Sequence, residues 1–336
     1  MKRRYFLAGL TTLGITGCRQ LSDAYRLNIT LLAGAIPNQF LRQFQRQQGV
    51  RLLPKLGNNY AEIAKLMTEG QTETNVSSLG DSWLPLLRDS LQEIDPQSLS
   101  NWHLIPSQWR SVGVIDNKLY GIPYRWGTTV IIYNTRQLQK FNIPPLQSWQ
   151  DLWHPGLKRR ISLPDSDREV IGLCLKRRGF SYNQTELVNR TELQADLASL
   201  DQQTLTYTSN YYVQSLVQED TWAAVGWSND VQEIVKRYPH LKVVNPQEGT
   251  ALWFDCWAVA KPNPLNPAWI DYCLQPQQSH LITVLTDGIG VTDTDHFLPT
   301  AYLNKCEPIL PLPPSVATAY QKIWRELRNK PRNRLV

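Results

Sequence analysis

Trp253 and Asp255 stand two apart in the apolar run Ala251-Leu-Trp-Phe-Asp-Cys-Trp-Ala-Val-Ala260, which reads as a strand. Alternate side chains of a strand leave the same face, so this ring and this carboxylate emerge side by side. An aromatic wall beside a carboxylate suits an organic cation. The carboxylate accepts a charge-assisted hydrogen bond, and the ring adds a cation–π contact of about 0.5–2 kcal/mol. Plainer uses exist for both: a strand-end cap for Asp255 and core packing for Trp253. The chain has Trp 12, most of which must pack in cores, with a few left as platforms in a cleft.

Other chemistries find little support. His103, His154, His240, His280 and His296 are scattered, and none pairs at metal-ligand spacing. Asp293-Thr-Asp295-His296 has donor types but no calcium loop around it, and it reads as a polar turn. Gly288-Ile-Gly290 lacks the remaining glycine of a dinucleotide loop. There is no phosphate loop or nucleophile elbow. No catalytic residue, metal or cofactor is therefore predicted. Cys174, Cys256, Cys273 and Cys306 are widely spaced without CxxC, and the apolar surroundings of Cys174 and Cys256 predict buried free thiols. The formal charge of +6 and the short clusters Lys158-Arg159-Arg160 and Lys176-Arg177-Arg178 do not announce a nucleic-acid partner.

The elements that must carry these residues alternate. Leu27 to Leu32 and Val50 to Leu53 read as strands. Asn38 to Gln48 places Phe40, Leu41 and Phe44 at helical spacing before Gly49 as a stop, and Tyr60 to Met67 is a further helix. Tyr120 to Asn134 begins as a turn and becomes an apolar strand. Ser148 and Asp151 have the spacing of a capping box. Ile161-Ser-Leu and Trp222 to Trp227 are strand-like, while Arg168 to Leu175, Asp230 to Lys236 and Ala317 to Leu327 are helical. This alternation predicts an α/β fold with largely parallel sheets, and the length predicts two lobes.

The first residues read as an address. Lys2, Arg3 and Arg4 precede a short apolar stretch from Tyr5 to Thr16, about 12 residues against the roughly 20 that cross a bilayer. Ile15-Thr16-Gly17-Cys18 resembles a bacterial lipobox, which implies a signal peptide over 1–17 and lipid on Cys18. Arg3-Arg4-Tyr5-Phe6-Leu7 also resembles a twin-arginine signal, so export by the Sec or the Tat route stays open. The expected location is the periplasm or the outer face of the cytoplasmic membrane.

Four blocks recur in a familiar order. They are Tyr120-Gly-Ile-Pro-Tyr-Arg-Trp-Gly-Thr-Thr129 running into Tyr133-Asn134; Ser148-Trp-Gln-Asp-Leu-Trp153 with Asp165-Ser-Asp-Arg-Glu-Val170; Gly226-Trp227-Ser228; and Glu248-Gly249 through Leu252-Trp253-Phe254-Asp255 to Lys261-Pro. Together they resemble the polyamine-binding (spermidine/putrescine) branch of the periplasmic solute-binding proteins of ABC transporters. The resemblance implies a non-enzymatic, two-lobed Venus-flytrap fold that closes on a small cationic ligand, with an importer's permease and ATPase subunits and, through the N-terminal lipid, the membrane as partners, no nucleic acid, and the chain itself a monomer. It places a tether at 18–26, the first lobe at 27–132 and 252–295, the second at 133–251 and 296–330, and a basic tail at 331–336. Hinge crossings are expected near Val130 to Asn134, Thr250 to Trp253 and Thr292 to His296.

By the same resemblance Asp255 and Trp253 bind one amine terminus, Glu169 is a second carboxylate, and Trp227 lines the cleft. Several positions depart from the family pattern. Ser166 stands where a carboxylate is expected, with Asp165 or Asp167 as possible compensation. The first-strand aromatic cluster is Leu32-Ala33-Gly34-Ala35, and a late tyrosine is Val291. Gly80-Asp81-Ser82-Trp83 replaces a Ser-Thr-Tyr region, so Asp81, Ser82 and Trp83 offer a new carboxylate and ring. Asp81 is equally suited to cap the helix that starts at Ser82. The residues leave open another small ligand, such as a thiamine-like cation, an amino acid or a sugar, and also an exported enzyme.

Overall fold

Local signals set the elements that carry the cleft. In the computed structural model, which describes residues 25–68, 73–186 and 190–329, the helix Asn38–Gln48 buries Phe40, Leu41 and Phe44. It ends at Gly49, whose φ of 64° is the left-handed conformation that glycine adopts without a Cβ penalty. The Ser148–Asp151 capping box forms at the start of a short helix over Trp149–Trp153. Ser166 caps the helix Asp167–Arg177 by accepting the Glu169 N–H at 3.3 Å. The expected signal peptide, Cys18, most of the tether and the basic tail lie outside the described residues.

One hydrogen-bonded path runs through Arg51–Gly57, Arg26–Leu32, Val76–Gly80, Ala251–Val259, Ile122–Asn134, Ala223–Trp227, Ile161–Leu163 and Thr204–Tyr207. The outer strands pair in parallel on both sides, as the alternation predicts. The two long central strands run antiparallel to each other and to their neighbours on this path, so the sheet is mixed and not largely parallel. The reason is the path of the chain. Ile122–Asn134 leaves one core for the other, and Ala251–Val259 comes back.

Two large cores flank this crossing. Trp126, Leu252, Phe254 and Trp257 belong to the first; Ile131, Trp149, Val225 and Ala251 belong to the second. A smaller cluster of Val130, Ile132, Tyr212, Leu216, Val231 and Leu241 covers the other face of the outgoing strand. The outgoing strand thus changes cores at Gly127–Thr129, slightly before the expected Val130. The third passage also differs from expectation. Phe297, Leu298, Leu303 and Cys306 still pack on the first core, and Ile309, Leu312 and Val316 are the first to pack on the second. Glu307 and Pro308 pair in parallel with Ala251 and Leu252, and this pairing carries the chain across at 307–308. The sequence from 296 onward has no strand-like run to mark that spot.

Gly127 is fixed by a close approach. A Cβ there would lie 2.2 Å from the Trp253 ring and 2.5 Å from Ser228 Oγ, so only glycine lets the indole lie across the crossing strand. Cys174, Cys256 and Cys273 are buried free thiols, and Cys306 is free and half-buried. No described helix is long and apolar enough to cross a membrane.

Candidate ligand-binding cleft

Asp255 sits in the middle of the sheet, opposite Gly80 on one neighbouring strand and Arg125 on the other. It is 3% exposed. Tyr60 Oη donates to its Oδ1, and Arg125 Nε donates to its Oδ2. Burial, and after it the charge of Asp255, hold the Tyr60 phenol well above its usual range, so it stays a donor. The Arg125 guanidinium also lies 5.9 Å from the centre of the Trp253 ring. Trp253 itself donates its indole N–H to the Thr128 carbonyl at 3.3 Å.

Trp253 and Asp255 therefore do share a face, as their spacing predicts, but a guanidinium from the chain already meets both. An amine at the expected Asp255–Trp253 position would share the carboxylate with Arg125. A buried carboxylate in a strand needs a counter-charge, and the register supplies one. Arg125 is the only charged residue in Ile122–Asn134, and its position in an apolar strand was the available signal.

Glu169 lies across the crossing, in the first turn of the helix capped by Ser166. It is 5% exposed. Thr129 Oγ1 donates to its two oxygens at 3.0 and 3.1 Å, and the Trp227 indole N–H donates to Oε1 at 3.2 Å. No basic group among the described residues forms an ion pair with it. Burial pushes its carboxyl up to about 7, and the hydrogen bonds from Thr129 and Trp227, with the more distant charge of Arg168, only partly offset that. Trp227 is anchored in turn through its backbone N–H, which donates to Tyr212 Oη at 3.1 Å. The Tyr212 and Trp227 rings meet edge to face at 6.3 Å.

Asp81 opens the short helix after the strand Val76–Gly80 and is half-buried. Its Oδ1 accepts the Ser82 N–H at 2.8 Å, so the expected capping role is present in part. Burial nevertheless raises its carboxyl to about 8, and the charges of Asp255 and Glu169 push it further in the same direction. Asp81, on the first core's side, thus feels the charge of Glu169 on the second. Ser82 is exposed and Trp83 half-buried, and among the described residues no side-chain hydrogen bond joins either to the carboxylates. Asp167 stands apart. It accepts the Arg168 N–H at 2.8 Å at the helix start. The serine instead positions Glu169.

Among the described residues neither Asp81 nor Glu169 forms an ion pair, while Asp255 is paired with Arg125. Asp230 lies at the rim, exposed, accepting from Tyr212 Oη at 2.7 Å and from Asn229 at 2.8 Å. Once ionised, Asp81 and Glu169 can accept ammonium donors, with the Trp227 indole bonded to Glu169. A separate cavity of about 340 Å³ opens on the flank of the crossing, lined by Gly127, Thr128, Val130, Val231 and Val235 among others. None of the three carboxylates borders it, so its size does not make it the binding site.

A sequence profile described as "Bacterial extracellular solute-binding protein" matches residues 91–286. A spermidine/putrescine-binding periplasmic protein of Salmonella typhimurium is 25% identical over 260 residues, covering 76% of this chain and 74% of that protein. A putrescine/cadaverine-binding protein of Pseudomonas aeruginosa is 23% identical over 360 residues, covering 98% and 99%. Among solved structures, a spermidine/putrescine ABC transporter substrate-binding protein from Streptococcus pneumoniae superposes with a TM-score of 0.76 at 20% identity, over 90% of this chain and 98% of that one. That likeness identifies the fold as the α/β fold of periplasmic binding proteins.

Proposed function

The chain belongs to the bacterial extracellular solute-binding proteins, and from that premise we propose that it captures a small dicationic amine, a putrescine-like diamine, for an ABC importer. One observation carries the ligand class: Asp81 and Glu169, carboxylates supplied by the two cores, form no ion pair among the described residues. A dication supplies the two missing charges. Asp255 is matched by Arg125, so a third ammonium has no unpaired carboxylate to meet. The names of the relatives support an amine, and the charge count favours the shorter one.

In this reading one ammonium binds at Asp81 and the other at Glu169, and the stem runs past Trp227. Because the two carboxylates come from different cores, the ligand is held fully only when the lobes close. Contacts made in one state alone bias the hinge toward it. The permease of the importer then reads the closed form, and its ATPase drives uptake. Lipid on Cys18 would hold a monomeric binding protein to the membrane outside the cytoplasm, beside that permease.

The test is calorimetric titration of the mature chain with putrescine, spermidine and spermine at physiological salt. Putrescine is expected to bind at micromolar or tighter Kd, with spermidine at least about tenfold weaker, the worth of one poorly placed charge at about 1.4 kcal/mol. Equal or tighter binding of spermidine overturns the charge count. Failure of all three to bind overturns the amine assignment and leaves the family membership in place.

A further inference from the structure

Away from the cleft, His280 meets Asp293 and His296, two side chains that stand three residues apart further along the chain. His280 lies on the helix Pro276–Leu285, and Asp293 and His296 lie on the loop beyond the short strand Ile289–Gly290. The Nδ1 atoms of His280 and His296 stand 3.4 and 3.0 Å from Asp293 Oδ2. One donor atom from each residue falls within 4.8 Å of the others. Asp293 is 6% exposed, and its Oδ2 is buried with no hydrogen-bond partner. The two imidazoles are about half exposed.

An orphaned buried carboxylate oxygen is costly, and neither nearby ring nitrogen is aimed to bond it. A cation seated between the three atoms removes that cost. Zinc takes imidazole nitrogen at about 2.0–2.1 Å and carboxylate oxygen at about 2.0–2.2 Å in tetrahedral geometry. Those lengths put neighbouring donors about 3.3–3.5 Å apart, close to the separations seen here. Two imidazoles and one carboxylate form a borderline donor set that suits Zn²⁺ over Ca²⁺ or Mg²⁺, which prefer all-oxygen shells. We propose that His280 Nδ1, His296 Nδ1 and Asp293 Oδ2 form a divalent transition-metal site of the Zn²⁺ class, with its fourth position open to water.

The site ties a helix to a loop on either side of Ile289–Gly290. That short strand pairs with Trp126 and Arg125. Metal binding therefore braces the edge of the frame that holds Arg125 against Asp255. It is a positioning site, and no ligand contact in the cleft depends on it directly.

The experiment uses the untagged chain, stripped with a chelator and then titrated with Zn²⁺ against a chromophoric competitor. One tight equivalent is expected, with a rise in melting temperature, and Co²⁺ in its place should give the visible absorption of a tetrahedral centre. His280→Gln and His296→Gln, both at exposed positions, should each weaken binding at least tenfold while circular dichroism stays unchanged. Asp293→Asn should do the same, and if that variant fails to fold the two histidine variants still decide. No stoichiometric Zn²⁺ binding, or equal binding by a His280→Gln, His296→Gln double variant, overturns the proposal.

Discussion

Replacing Glu169 with glutamine separates two effects of opposite sign. Burial raises this carboxyl from 4.5 to about 7 in the ligand-free protein. The unfolded chain releases the proton near the lower value and the folded chain holds it until the higher one. Stability conferred by keeping the proton is present in acid and is lost as pH climbs through that window, levelling off above about 7. At 1.36 kcal/mol per unit, ionising the buried group costs about 3 kcal/mol. Glutamine keeps the size and the acceptor for Thr129 but cannot ionise. Ligand-free Glu169→Gln should therefore be more stable than the parent at about pH 8, by up to about 3 kcal/mol, and equal to it at about pH 4. On a lobe of this size that is a rise of roughly 6–12 °C in Tm.

Diamine binding should move the other way. Losing one partner of a buried charge pair costs at least about 2 kcal/mol, or about 30-fold in Kd. In the parent, an ammonium at Glu169 requires the carboxylate, so affinity should rise about tenfold from this group alone between about pH 6 and pH 8. The variant should lack that tenfold, retaining only the part due to Asp81. Titration calorimetry with putrescine at the two pH values, beside thermal melts without ligand, reads both effects. A variant that binds putrescine as the parent does, with the same pH dependence, would falsify the role of Glu169. A ligand-free variant that is less stable at about pH 8 would refute the burial argument.

Arg125→Gln leaves Asp255 buried with Tyr60 as its remaining partner, so the ligand-free protein should lose about 3–5 kcal/mol, measured by denaturant unfolding. The same change adds one uncompensated negative charge to the cleft, so competition titrations should show selectivity moving from putrescine toward spermidine. Unaltered selectivity would mean that Asp255 and Arg125 are merely structural. Cys18→Ser should move the protein from the membrane fraction to the soluble exported fraction of cells, and continued membrane attachment would remove the lipid anchor from the reading.

Much of the scaffold is legible residue by residue because its causes are local. The Phe40, Leu41, Phe44 stripe and the stop at Gly49 need only helical geometry and one left-handed residue. The Ser148–Asp151 box needs four consecutive residues. The shared face of Trp253 and Asp255 needs only the period of a strand. The mixed sheet and the third passage at 307–308 depend instead on which strands lie side by side, and no local pattern states that. At the start of the helix Asp167 accepts its neighbour's N–H while Ser166 accepts that of Glu169, contacts that residue types alone do not state.

The sequence by itself determined the family, the two-lobed α/β class and the carboxylates and rings available for a cation, because these follow from short motifs and from side-chain periodicity. Only the tertiary structure decided which of those carboxylates are free. Arg125 and Asp255 are 130 residues apart and meet through the register of two antiparallel strands. His280 and Asp293 meet because a helix folds back beside a loop. Charge compensation inside a protein acts over a few ångströms of space, whatever the separation along the chain, so the pairing of Arg125 with Asp255 could be read only once the strands were in place.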